Sequence, residues 1–271
     1  ILPKDDKSDL LVTADLLVED IDFRLEWTTP ELLGHKALAV SLSDIAAMGG
    51  DPRWSMLSIG IPERLWNSDF VDRFYDGWFE LARKFDVDLV GGDVSRTPEK
   101  VVIDSIVGGE VEKGRSILRS TAKPGDAIFV TGTIGGAAGG LKLLESGSRI
   151  DYEKPLDLLL SQLQPLPQLT NAKLLQTLRI ATSMIDLSDG LSSDLRHICN
   201  ASGVGASILS ESLPLHADLR DHFPANECID MALNGGEDFE LLFTVSEKNI
   251  SHLNSPHFTR IGEVTANVGI I

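Results

Sequence analysis

Cysteine is scarce in this chain. Its two copies among 271 residues, Cys199 and Cys228, stand in no metal-ligand spacing, which points to a reducing compartment and ordinary packing. Basic residues are also few. The 24 Lys and Arg against 41 Asp and Glu leave a formal net charge of -17, and such a surface repels polyanions and excludes sequence-independent nucleic-acid binding. No apolar run approaches a membrane span. No basic segment followed by an apolar stretch opens the sequence, so no secretion signal is read and the cytoplasm is the expected compartment. The six histidines lack metal-ligand spacing, and no Ser/His/Asp or Cys/His arrangement is visible. Internal repeats and low-complexity tracts are absent from the sequence too.

What is present is an ordinary globular composition: 42% hydrophobic, with 24 Gly and 12 Pro, long enough for one large or two medium domains. The opening residues read as a hairpin entered partway, with Lys4–Asp6 at its tip and a strand over 10–17. Pro30 starts a helix whose apolar Leu38, Leu42 and Ile45 recur at helical spacing until Gly49, Gly50 and Pro52 end it. Strands are predicted over 53–61, 87–90 and 101–110. Between the first two, a helix capped by Ser68 runs to about Lys84. Polar residues 113–126, with the turn sequence AKPGD, mark a domain boundary, giving domains 1–115 and 116–271. The second half alternates strands (127–130, 184–187, 206–209, 239–245, 259–263) with helices over 157–180, broken at Pro165–Pro167, and over 190–201. The reading is α+β in two lobes.

Four acidic motifs share one layout, an aspartate beside small residues at the end of an apolar element: VTAD (Asp15), LSDIAAMG (Asp44), LVGGD (Asp93) and IDLSDG (Asp186, Asp189). Asp44 has Val40, Ser41, Ala47 and Met48 as its helical neighbours, so no local cation neutralises it. It reads equally as a solvent-facing helix acid or as a ligand for something outside the helix. Asp93 follows two glycines that suit either close approach to a ligand or a tight turn. Asp189 alone reads best as a helix N-cap. Taken together, the acids suit an oxygen-rich magnesium site that leans on phosphate oxygens. The turn VTGTIGGAAGGL lacks the Lys-Ser/Thr ending of a P-loop and the dinucleotide spacing, and reads as helix–strand packing.

The segments DLLVEDIDF, GHKALAVSLSDIAAMGGDP, LVGGDVSR, KPGDAIFVTGT, IDLSDGLSSDLRHI and NGGEDFELLFTV, in this order and spacing, resemble the thiamine-monophosphate kinase family within the aminoimidazole ribonucleotide synthetase superfamily. The resemblance implies that superfamily's two-domain fold, with an N-terminal α/β domain whose sheet pairs with a dimer mate and a C-terminal α+β domain. It implies ATP-dependent phosphorylation of thiamine monophosphate with several Mg2+ ions, in a homodimer. Carried over by motif, Thr13, Asp15, Asp44, Asp93, Asp186 and Asp189 are the metal ligands. Gly92, Asp93, Arg119 and Ser188 contact ATP, and Asp22 and Glu237 contact the thiamine substrate. Ala14 departs from the family's Thr or Ser, and Asp22 stands where a histidine is common. The family's Gly-Asp-Asp turn would precede Ile1, and its aromatic closing segment would follow Ile271. Rival readings are another ATP-dependent enzyme of the superfamily and a catalytically silent nucleotide- or metal-binding module.

Overall fold

The computed structural model describes residues 1–151, 153, 156–253, 255–267 and 269–270. Its first half contains β1 (Leu2–Pro3), β2 (Ser8–Val18), α1 (Pro30–Ala47), β3 (Asp51–Pro62), α2 (Glu63–Trp66), α3 (Phe70–Phe85), β4 (Asp88–Thr97) and β5 (Val102–Glu112). The strands form one sheet in the order β1-β2-β5-β3-β4, antiparallel except where β4 runs parallel to β3. Alternation along β2 sorts its side chains. Leu11 and Leu17 point into the core, while Val12 and Leu16 remain exposed on the outer face.

Helix α1 lies under the inner face and is buried all round, with 15 of its 18 residues withdrawn from solvent. Its start is specified locally: Thr29 accepts a hydrogen bond from the Leu32 amide, and Pro30 occupies the first turn. Helix α3 covers α1 from outside. It buries Phe70, Phe74, Trp78 and Leu81 at helical spacing and turns its charged residues outward. The two helices touch backbone to backbone, because a Cβ on Gly34 would lie 1.9 Å from the Phe74 carbonyl oxygen and one on Gly77 1.9 Å from that of Glu31.

The second half holds β6 (Asp126–Thr131), α4 (Gly136–Glu145), α5 (Asp157–Leu163), α6 (Leu169–Leu178), β7 (Ala181–Asp186), α7 (Leu191–Ser202), β8 (Gly205–Ile208), α8 (Leu219–His222), α9 (Ala225–Asn234), β9 (Leu241–Ser246), β10 (Phe258–Thr265) and β11 (Gly269–Ile270). Its sheet runs β11-β8-β10-β6-β9-β7. The largest core cluster crosses between the halves, joining Leu38, Leu42 and Ile45 of α1 to Phe129, Leu175, Met184 and Phe243. A smaller cluster in the second half holds Leu191, Leu195, Ile198 and Cys199 on one face of α7. Both cysteines are buried free thiols. No helix among the described residues is long and apolar enough to cross a membrane.

The α+β organisation is as expected, with differences at element ends. Strand β4 does not stop at Val90 but continues to Thr97, since β3 offers it a pairing edge along its whole length. Asp93 therefore sits inside a strand rather than at its end. Ser68 is not the cap of α3: Asp69 occupies that position, and Ser68 accepts from the Phe70 amide at 3.2 Å. The Lys4–Asp6 tip is a turn as read, with Asp5 accepting from the amides of Lys7 and Ser8.

The crossing of α1 and α3 yields a direct test. The methyl of Gly34→Ala meets backbone and cannot be relieved by a rotamer change, so the cost falls at about 3 kcal/mol, the upper end for overpacking. The melting temperature should fall by roughly 5–10 °C. An unchanged melt would mean that the helices do not touch at this position.

Candidate functional site

The last turn of α1, the interior of β2 and the end of β7 bring carboxylates together, so Asp15 lies inside its strand rather than at its end. Each is held by a hydroxyl: Ser41 donates to Asp15 at 2.7 Å, Ser43 donates to Asp186 at 2.7 Å, and Thr13 donates to Asp44. Asp186 is 3% exposed. Burial, and then the nearby charge of Asp44, push its pKa up to about 7. Asp15 is raised to about 6 by burial, with Asp44 and Asp104 adding repulsion against the relief given by Ser41. No cation appears among the groups that act on either acid. The cluster is thus a set of hard oxygen donors whose charges oppose one another, a fit for Mg2+ rather than for a soft metal. A solvent-facing Asp44 is not what the fold builds.

Beside this cluster lies a hollow of about 410 Å³, lined in part by Thr13, Asp44, Met48, Arg119 and Ser120. Acid and guanidinium thus share one wall-to-wall space. The side chain of Arg119 forms no ion pair or hydrogen bond among the described residues, and its carbonyl accepts from Ser202 at 2.9 Å.

Asp189 is not the N-cap of α7. Gly190 occupies that place, and no side chain caps it. Asp194, inside the helix, instead holds the loop that precedes it: its Oδ2 accepts from the amides of Ser188 and Asp189, each at 3.1 Å. Asp194 is 1% exposed, and burial with the neighbouring Asp189 raises its pKa to about 6. Ligand atoms of Asp189, Asp194 and His197 lie within 4.8 Å of one another. The loop is tied to the other acidic motif through backbone: Glu237 N donates to Ser188 O, Phe239 N to Leu187 O and Leu187 N to Glu240 O. Glu237 and Phe239 adopt positive φ, 65° and 50°, a strained conformation for residues with a Cβ. Glu237 pairs with Lys36 at 3.0 Å and accepts from Gln162.

Three expected site residues stand apart from the carboxylate cluster. Gly92 and Asp93 lie on the edge strand β4 and line a separate hollow of about 460 Å³ with Leu57 and Tyr75. Gly92 has φ 144° and passes so close to β3 that a Cβ would meet the Leu57 carbonyl oxygen at 1.8 Å. Asp22 accepts from the Val18 amide at 2.8 Å, a turn contact, and lines neither hollow. The glycine-rich turn already holds a carboxylate of this chain. The amides of Gly135 and Ala137 at the start of α4 donate to Asp238, which fills the anion position itself.

Residues 1–111 match the family model of the AIR synthase related protein, N-terminal domain, and residues 123–271 match its C-terminal domain. The thiamine-monophosphate kinase of Bacillus subtilis (strain 168) is 41% identical over 245 residues, covering 88% of this chain and 73% of that protein. The chain belongs to the thiamine-monophosphate kinase family. A crystal structure of the family's enzyme from Stenotrophomonas maltophilia K279a superposes with a TM-score of 0.89 at 36% identity, covering 100% of this chain and 87% of that one. The structure of AaThiL complexed with AMPPCP and TMP gives 0.88 at 35% identity, over 97% and 83%.

Sequence reading missed Lys36, Ser41, Ser43, Tyr75 and Asp194. Ser41 and Ser43 carried a signal, being hydroxyls inside an otherwise apolar helix, which need an acceptor when buried. Asp194 carried another, a charge on the face that holds Leu191, Leu195 and Ile198.

The raised carboxyls set a pH dependence in the metal-free protein. Asp186 unfolded titrates near 3.8 and folded at about 7, so its destabilisation is absent below the first value and complete above the second. Stability in EDTA should therefore fall as pH rises through that window, and Asp15, Asp194, Asp238 and Glu240 act with the same sign. Asp186→Asn should flatten the slope and raise the melting temperature above pH 7. Melts that are parallel for the two proteins across the window would contradict the geometry.

Proposed function

We propose that this chain transfers the terminal phosphoryl group of ATP to the phosphate of thiamine monophosphate, giving thiamine diphosphate. The observation that carries the reading is the facing of Asp15, Asp44 and Asp186 beside a hollow that also holds Arg119, in a chain of this family.

The acceptor is a phosphate monoester with a second pKa of about 6, so its attacking oxygen is already largely ionised at neutral pH and no general base is required. The obstacle is repulsion between two polyanions on a protein of net charge -17. Arg119 supplies a permanent positive charge to the phosphates in the Asp44 hollow. Ser188, held on the Asp194 clamp, offers a hydroxyl to the nucleotide, while Tyr75 and Gly92 give its base a ring and a close backbone. Thr13, Asp15, Asp44 and Asp186 would hold Mg2+ at the cluster, while Asp93 in its separate hollow and Asp189 in the loop before α7 would hold further Mg2+ ions; when bound, these neutralise phosphate oxygens and keep donor and acceptor in line. The hydroxyls of Ser41 and Ser43 keep the carboxylates of Asp15 and Asp186 turned to the cluster. Glu237 and Asp22 are the substrate-contacting residues in this reading.

The same proposal includes a homodimer joined through the outer face of the first sheet. Val12, Leu16 and Met56 are 45%, 60% and 42% exposed there, a grouping of apolar side chains that a partner sheet would cover. It also places a domain boundary at 115/116, supported by the end of β5 at Glu112 and the start of β6 at Asp126. The cytoplasm is the compartment, in keeping with two buried free thiols.

Turnover measured against Mg2+ concentration tests the assembly. Asp44→Asn, Asp93→Asn and Asp189→Asn keep shape but remove charge, and each should lose at least about tenfold in rate while needing more Mg2+ for half-maximal velocity. Paired substitutions should cost far less than the product of the single losses. Near-normal rates and Mg2+ dependence in all three would refute the metal reading. Separately, light scattering at micromolar concentration should give the dimer mass, and Leu16→Lys should shift it toward the monomer. A wild-type monomer at that concentration sinks the dimer.

A further inference from the structure

The strongest unassigned group is a lysine buried between the two halves. Lys36 of α1 is 3% exposed, and an ammonium so withdrawn from water persists only where it is paired. Its Nζ lies 3.0 Å from Glu237 Oε2 and donates to the Gln162 carbonyl at 3.2 Å. The Gln162 amide donates to the same Glu237 oxygen. Two donors therefore hold Oε2, while Oε1 accepts no hydrogen bond among the described residues and the Glu237 side chain stays 30% exposed. The Glu237 backbone is fixed as well, by its left-handed φ and its bond to Ser188 O at 2.9 Å. The result is a carboxylate with one oxygen locked and one free.

That free oxygen can only accept a hydrogen bond, and an ionised phosphate offers it none, so it does not suit the phosphate end of a substrate. It suits a hydrogen-bond donor on a cationic body. The helix also fixes how far this acceptor stands from the metal cluster. Ser43, which holds Asp186, lies seven residues after Lys36, two turns on the same face and about 10 Å along the axis. One face of one rigid helix thus sets two acids of the second half at a defined separation. Thiamine monophosphate has the matching polarity, an aminopyrimidine and a thiazolium cation at one end and a phosphate at the other.

We infer that Lys36 is a positioning residue for substrate recognition: it locks Glu237 so that the free oxygen accepts from the amine-bearing, cationic end of thiamine monophosphate. The inference rests on the kinase reading for the identity of the substrate, so its test uses a ligand that needs no turnover.

Thiamine itself carries the cationic end without the phosphate, and calorimetric titration gives its affinity for the whole chain. Lys36→Met, which keeps the length of the side chain and removes the charge, should weaken thiamine binding by about tenfold. Glu237→Gln should do the same, and the double variant should bind no worse than either single one. Lys36→Arg should recover part of the loss. In turnover, Lys36→Met should raise KM for thiamine monophosphate by a similar factor and leave KM for ATP within about twofold. Should Lys36→Met fail to fold in a thermal melt, Gln162→Met removes the other donor and should weaken thiamine in the same direction. Thiamine affinity unchanged in a folded Lys36→Met or Gln162→Met overturns the inference, as do additive losses in the double variant or a wild type that does not bind thiamine. Thiamine binding without phosphorylation of thiamine monophosphate would instead count against the kinase reading and leave the Lys36 clamp standing.

Discussion

Carboxylates that repel one another need something to keep them in place, and in this chain that something is a set of hydroxyls on one helix and one strand. Thr13, Ser41 and Ser43 each donate a hydrogen bond to one acid, so Asp44, Asp15 and Asp186 are held in place without a cation pairing with them. A lysine or arginine in the same position would have lowered the repulsion and also cancelled the charge that a divalent cation requires. The raised pKa values of Asp15 and Asp186 are the measure of what the fold tolerates there. Everything around the cluster serves to hold α1 still: its N-cap, its burial on every side and its backbone contact with α3.

The second half is attached through the same helix. Ser43 reaches Asp186, Lys36 reaches Glu237, and the ring of His35 bonds the Pro165 carbonyl at 2.8 Å, with burial holding the imidazole's pKa below its usual value. Apolar packing between α1, β7 and β9 supplies the bulk of the attachment, and these polar bonds give it a register. The loop bearing Ser188 and Asp189 and the segment bearing Glu237 are in turn laced by backbone bonds. Residues contributed by distant parts of the sequence thereby become one constellation.

Much of this was legible in the sequence, and the limits were physical. Strand-forming runs located β2, β3 and β5, and α1 was located by the spacing of Leu38, Leu42 and Ile45 between Pro30 and the glycines that end it. The motif aspartates stood out because uncompensated charge beside small residues is unusual in an apolar setting. What pattern reading cannot see is which hydroxyl meets which acid across 143 residues, as Ser43 meets Asp186. Lys36 was hidden because a lysine on a helix ordinarily faces water, and only tertiary packing buries it. The placement of Asp93 was misjudged because two glycines looked like the end of a strand. The free edge of β3 instead carried the pairing straight through them.

The complete enclosure of α1 has a consequence for how such a chain can vary. Adding or removing one residue between Lys36 and Ser43 would rotate everything beyond it by about 100° and shift it by about 1.5 Å. Asp44 would swing away from Thr13, and Ser43 from Asp186, while Lys36 stayed with Glu237. No exposed bulge could absorb the change, because the helix has hardly any free surface. The segment can therefore accept exchanges of one side chain for another but not changes of length. The turn after α4, where Glu145, Ser146 and Gly147 are exposed, has room to lengthen or shorten without moving the site.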